Sequence, residues 1–144
     1  MTTWIANAER CQRMDQRASQ EFGIPGEQLM ERAGKLVFEA MVELLPDGGS
    51  LTVLCGKGNN GGDGFVVARL AHERGYGVEC LVATQNPGDL SPLCALQFEK
   101  AVAAGITPHF AGDTGWTRRL ESIPCRDLVI DALLGTGVNG PVHG

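Results

Sequence analysis

The sequence predicts an α/β fold in which a parallel sheet is wound with helices on both faces. Three observations carry this expectation. Apolar runs at residues 51–55, 78–83 and 127–134 have the near-continuous hydrophobicity of strands covered on both sides. Helix-spaced segments alternate with them, as parallel strands require. Two glycine-rich segments, residues 56–64 and 135–141, follow directly on strands. The right-handed crossover rule turns this alternation into a doubly wound, Rossmann-like layout, preceded here by two additional helices.

Each element has its own signal. Asn7 is placed to cap a first helix of about four turns that ends near Gly23. Ile24-Pro25-Gly26 breaks the chain. A second helix spans residues 27–45, with Leu29, Met30, Ala33, Leu36, Val37, Ala40, Met41 and Leu44 in one apolar stripe. Pro46-Asp47-Gly48-Gly49-Ser50 turns into the first strand. The third helix is expected over residues 63–74, ending at Gly75, and the second strand follows. Ser91 caps a fourth helix that has Pro92 in its first position and runs to Ala104, before Gly105. Residues 106–110 read as a weak strand and 116–123 as a short helix; residues 127–134 are a strong strand.

Composition narrows the function classes. At 144 residues the chain suits one domain, and no repeat, low-complexity tract or linker divides it. A formal charge of −5 argues against nucleic acid or an anionic membrane as partner. A phosphorylated ligand remains compatible, because backbone amides at a helix N-terminus hold phosphate without a basic patch. Five cysteines with no Cys-x-x-Cys pair argue against a disulfide framework or a zinc site and fit a reducing compartment. The amino terminus lacks the apolar core of a signal peptide, and no run reaches the roughly 20 apolar residues of a membrane span. A soluble, cytoplasmic protein is expected.

The chemistry should sit beyond the carboxyl ends of the strands, where strand order reverses. Gly56-Lys57-Gly58-Asn59-Asn60-Gly61-Gly62-Asp63-Gly64 leaves the first strand, and Gly135-Thr136-Gly137-Val138-Asn139-Gly140-Pro141 leaves the last one. If those strands are neighbours, the two segments face each other across one crevice. The first contains a Gly-x-Gly-x-x-Gly match, yet no acid ends the second strand to hold a ribose hydroxyl, and no Gly-Lys-Ser/Thr makes it a Walker loop. Asn59 and Asn60 are either turn residues with left-handed backbone or amides offered to a hard cation or to ligand oxygens. Asp63 either caps the following helix or touches ligand. Asp131, deep in Val129-Ile130-Asp131-Ala132-Leu133, should be costly to bury unless paired, hydrogen-bonded or metal-bound. His72, His109 and His143 show no ligand spacing. Glu31 reads as a solvated helix residue, and Gly34 inside its helix points to close packing.

Met30-Glu31-Arg32-Ala33-Gly34, the segment from Gly56 to Gly64, and Asp131-Ala132-Leu133-Leu134-Gly135-Thr136-Gly137 with Gly140-Pro141 together resemble the NAD(P)HX epimerase family, or YjeF amino-terminal domain family. The resemblance covers essentially the whole chain. It implies an isomerase of nicotinamide cofactor repair that interconverts the R and S epimers of NADHX and NADPHX. It further implies substrate contacts from Asn59 to Asp63 and from Gly135 to Pro141. A potassium ion would be held by Asn60 and Asp131, with Asp131 also the acid/base group. A dehydratase, fused downstream or separate, is the expected partner enzyme.

The family continues into a strand bearing Asp-x-Pro-Ser-Gly, which this sequence lacks; it stops at Gly144. The expectation is therefore one incomplete domain whose last strand exposes an apolar edge, inviting aggregation or a homodimer. Two other functions compete. A protein-binding scaffold on the same fold would not need both Asn60 and Asp131. A generic NAD-dependent dehydrogenase is disfavoured by the missing ribose acid.

Overall fold

The computed structural model describes residues 6–123, 126–137 and 141. Helices α1 (Ala8–Gln20) and α2 (Gly26–Leu44) precede β1 (Ser50–Cys55), α3 (Asn59–Glu73) and β2 (Gly77–Val82). Then come α4 (Pro92–Ala103), β3 (His109–Phe110), α5 (Trp116–Ser122) and β4 (Leu128–Ala132). The four strands form a parallel sheet in the order β3-β2-β1-β4. The strands bearing the two glycine-rich segments, β1 and β4, are thus neighbours, which meets the condition for the two segments to face each other.

Alternation along the strands divides the sheet into two faces. Leu51, Val53 and Cys55 of β1, with Cys80, Val82 and Phe110, pack against Phe65, Ala68 and Ala71 of α3 and Cys94 and Ala101 of α4. The other face carries buried Glu79, whose carboxylate accepts from Arg119 Nη1 of α5 at 2.9 Å and from Arg126 Nη2 at 3.0 Å. Helices therefore touch both faces, as expected, but unevenly. Val129 and Asp131, on the second face of β4, are exposed.

The predicted caps are present: Asn7 Oδ1 accepts from Arg10 N at 2.9 Å, and Ser91 Oγ accepts from Cys94 N at 3.4 Å. Three boundaries differ. Pairing in β3 begins only at His109, because Pro108 has no N–H to donate and Gly105 (φ +100°) turns the chain just before. β4 ends at Ala132 rather than Leu134, because the Leu133 N–H is captured by Asp131 Oδ1 at 3.0 Å. The third correction is the largest. α3 starts at Asn59, not Asp63, so most of the expected loop is helix. No described non-glycine residue has positive φ, which removes the left-handed reading of Asn59 and Asn60.

The reason α3 starts so early is steric. A Cβ at Gly61 would collide with the Gly56 carbonyl, one at Gly62 would lie 2.5 Å from Met30 Sδ, and one at Gly64 would lie 2.7 Å from Ala132 Cβ. The glycines let the helix sink onto β1, β4 and α2; none has positive φ. The Met30–Gly34 stretch of α2 serves the same packing, since a Cβ on Gly34 would fall 2.5 Å from Val66 Cβ. Glu31 is not merely solvated. It accepts from Arg69 Nη2 of α3 at 2.7 Å and from Lys100 Nζ of α4 at 2.8 Å, tying three helices together.

Candidate functional site

The site is assembled where β1 and β4 end. The Gly56 N–H donates to the Ala132 carbonyl at 2.9 Å, and the two backbones then run so close that a Cβ at Gly56 would collide with the Leu133 carbonyl. Asn60, in the first turn of α3, donates its side-chain N–H to the Leu134 carbonyl at 3.2 Å. Gly135 lies directly over it, where an added Cβ would be 3.0 Å from Asn60 Cβ. The predicted meeting of the two segments is therefore present as a zipped seam.

The N-cap position before α3 is Gly58, which has no side chain to cap the helix. Its first N–H groups and the positive end of its dipole are left for an incoming oxygen or phosphate. Asn59 Oδ1 accepts from Ser91 Oγ at 2.8 Å, which ties this turn to the start of α4. α1 spans the opposite side: Gln12 Nε2 donates to the Thr136 carbonyl at 2.9 Å.

The two carboxylates differ. Asp63 lies inside α3 and does not cap it. Half-buried, and repelled by Asp15 of α1, it has its pKa raised to about 6, with desolvation the larger cause. Asp131 is exposed rather than buried, which overturns the premise of a costly buried charge. It sits at an edge of the described sheet on the thinly covered face, and its Oδ1 is taken by Leu133 N. Gly137 and Pro141 are exposed, while Val138, Asn139 and Gly140 lie outside the described residues, as does His143.

Burial pushes the Cys55 thiol well above its usual range and Cys94 up to about 12, so these cysteines behave as buried hydrophobes. Among the described residues no three His, Cys, Asp or Glu side chains form a metal cluster. A separate hollow of about 380 Å³ lies at the amino end of β2, lined by residues that include Glu79, His109, Arg119 and Arg126. Its arginines are already engaged by Glu79. The β1–β4 crevice, with its uncapped helix end and carboxyl-end position, is the stronger site.

Sequence reading missed the partners that frame this crevice. Gln12, Asp15 and Ser91 come from distant segments, and no local pattern marks them. Only the Ser91-Pro92 cap signal hinted that the start of α4 would be well ordered.

The fold is a Rossmann-like α/β one, with its candidate site at the carboxyl ends of the adjacent strands β1 and β4. The chain belongs to the family described as YjeF-related protein N-terminus, whose model matches residues 26–144. It is 41% identical over 136 residues to the NAD(P)H-hydrate epimerase of Rhodopirellula baltica, covering 94% of this chain and 54% of that protein. It is also 41% identical over 137 residues to the bifunctional NAD(P)H-hydrate repair enzyme Nnr of Escherichia coli, covering 95% of this chain and 25% of that protein. The chain thus spans about half, or a quarter, of these relatives. The crystal structure of yeast ynu0 has the same fold, with a TM-score of 0.83 at 22% identity over 98% of this chain and 60% of that one.

Proposed function

We propose that this chain carries the epimerase site of an NAD(P)H-hydrate epimerase and interconverts the R and S epimers of NADHX and NADPHX. The observation that carries the reading is the seam between two glycine-rich segments, closed by Asn60 on the Leu134 carbonyl, in a chain of this family. The uncapped start of α3 receives a phosphate of the dinucleotide. Residues Asn59 to Asp63 and Gly135 to Pro141 form two walls of the site, within a single domain.

Epimerisation requires the hydroxyl on the hydrated ring carbon to leave and return on the other face. A carboxyl group protonates the departing hydroxyl, water is released, and the ring nitrogen stabilises the cationic carbon. Water then adds from the opposite side and the carboxylate recovers the proton. Asp131 is the proposed shuttle, and Asp63, with its raised pKa, is a second carboxyl able to donate near neutral pH.

The donor chemistry fits a potassium ion. Asn60 spends one side-chain N–H on Leu134, its Oδ1 accepts from none of the described residues, and Asp131 has one oxygen not used by Leu133. The cation would supply charge stabilisation beside the dinucleotide's oxygens. A dehydratase is the proposed partner enzyme, and metabolite repair in the cytoplasm the proposed setting. Among the described residues no helix is long and apolar enough to cross a membrane. The outer edge of β4 is the proposed face of any homodimer.

The test is epimerisation of purified NADHX by the full-length protein and by Asp131→Asn. The expected loss in kcat is on the order of a hundredfold. An unchanged rate removes Asp131 from the chemistry, and Asp63→Asn then tests the second carboxyl. No epimerisation by the unaltered full-length protein would overturn the function itself.

A further inference from the structure

The sequence shows no acid at the end of the second strand, but the fold puts one there. β2 ends at Val82, and the next residues remain bound to the carboxyl edge of the sheet. Ala83 N donates to the Cys55 carbonyl at 2.8 Å, and Ala111 N to the Thr84 carbonyl at 2.9 Å. The chain then leaves and folds back through a single 3-10 turn, Pro87–Asp89, held by Asn86 Oδ1 accepting from Gly88 N at 2.9 Å. This return brings Asp89 to Thr84, whose Oγ1 donates to Asp89 Oδ2 at 2.8 Å.

The same segment is fastened to the glycine turn. Ser91 N donates to the Lys57 carbonyl at 2.8 Å, and Ser91 Oγ to Asn59 Oδ1 at 2.8 Å. An exposed carboxylate therefore stands at the end of β2, beside the turn that follows β1. In parallel α/β dinucleotide sites, that is where an acid accepts the adenosine ribose hydroxyls and opposes a 2′-phosphate. Here the acid is seven residues beyond the strand end and returns by the turn, so strand-end spacing alone misses it.

We propose that Asp89 is a specificity-determining residue that reads the free 2′-hydroxyl of the adenosine ribose. This rests on the epimerase reading above, which supplies the dinucleotide. One Asp89 oxygen is held by Thr84, and the carboxylate accepts from the ribose hydroxyls, so the site favours the non-phosphorylated substrate NADHX over NADPHX. A 2′-phosphate would bring like charge against it. Lys57, exposed in the glycine turn, is the competing reader, since its ammonium would favour the phosphate instead.

The test is calorimetric binding of NAD⁺ and NADP⁺ to the full-length protein and to Asp89→Asn, with epimerisation of NADHX and NADPHX measured on the same preparations. The unaltered protein is expected to prefer the non-phosphorylated form about tenfold, and Asp89→Asn to narrow the ratio to about threefold or less. Equal affinities in the unaltered protein, a preference for NADP⁺, or a ratio that Asp89→Asn leaves unchanged would each overturn the proposal. If both hydrates turn over and the ratio is insensitive to Asp89, only this assignment falls. If neither hydrate turns over but the binding ratio shifts, the epimerase reading falls and the ribose contact stands.

Discussion

The two glycine-rich segments look alike in sequence and behave differently in the fold. In the first, Gly56, Gly61, Gly62 and Gly64 are buried, and a Cβ on any of them would meet backbone or core atoms. In the second, the nearest atoms to a Cβ placed on Gly135 belong to the Asn60 side chain, and among the described residues nothing lies within 4 Å of a Cβ placed on Gly137. Four glycines of the first segment therefore serve close packing, whereas Gly135 and Gly137 of the second are exposed to solvent. The first fixes where the site is; the second is free to shape what it holds.

The largest expected effect strikes the packed segment. Gly61→Ala sets a methyl against the Gly56 carbonyl, a backbone atom that cannot swing away. A loss of about 3 kcal/mol or more in urea unfolding of the full-length protein is expected. A loss below about 1 kcal/mol would show that the first segment yields as readily as the second.

An intermediate effect tests how dry the packed side is. Asp63 titrates in the folded chain near 6 instead of its ordinary 3.8, so the fold favours its protonated form. Its contribution to stability is complete below about pH 4 and is lost as pH rises through 6. Asp63→Asn removes that loss. Discounted for solvent screening, the variant should exceed the unaltered protein by about 1 kcal/mol at pH 7.5 and match it near pH 4. Denaturation midpoints at the two pH values decide this, and a gain that does not depend on pH would contradict the desolvated setting.

The smallest effect belongs to the open segment. Gly137→Ala meets no atom of the described residues and has no positive φ to relieve, so a change within about 0.5 kcal/mol is expected. A large thermal shift would mean that the second segment is packed as tightly as the first.

Much of the fold was legible because its signals are local or periodic. Asn7 and Ser91 announce helix starts through hydrogen bonds within their own turn and Pro92 through its fixed φ, and the parallel sheet follows from the alternation of strands with helices. That both glycine-rich segments leave the carboxyl ends of strands was legible for the same reason, while the pairing of those strands is a tertiary fact that the sequence offered only as a condition. What escaped depended on tertiary contact. The helical state of Asn59 to Gly62 is set by the depth to which α3 sinks against Met30 and Ala132. The exposure of Asp131 is set by β4 lying at a sheet edge, although its run looks central. Asp15 acts on Asp63 from another segment through space, so no short window of sequence contains the two together.

Asn60 limits how this seam could be re-engineered. Its amide is polar in both senses, with hydrogen turned to the Leu134 carbonyl and oxygen turned away. Substituting aspartate, a natural choice for gripping a cation harder, would replace that hydrogen with a second negative oxygen facing a carbonyl. Repulsion between the two oxygens would loosen α3 from the segment after β4, so at this position a neutral residue holds the joint that a charged one would open.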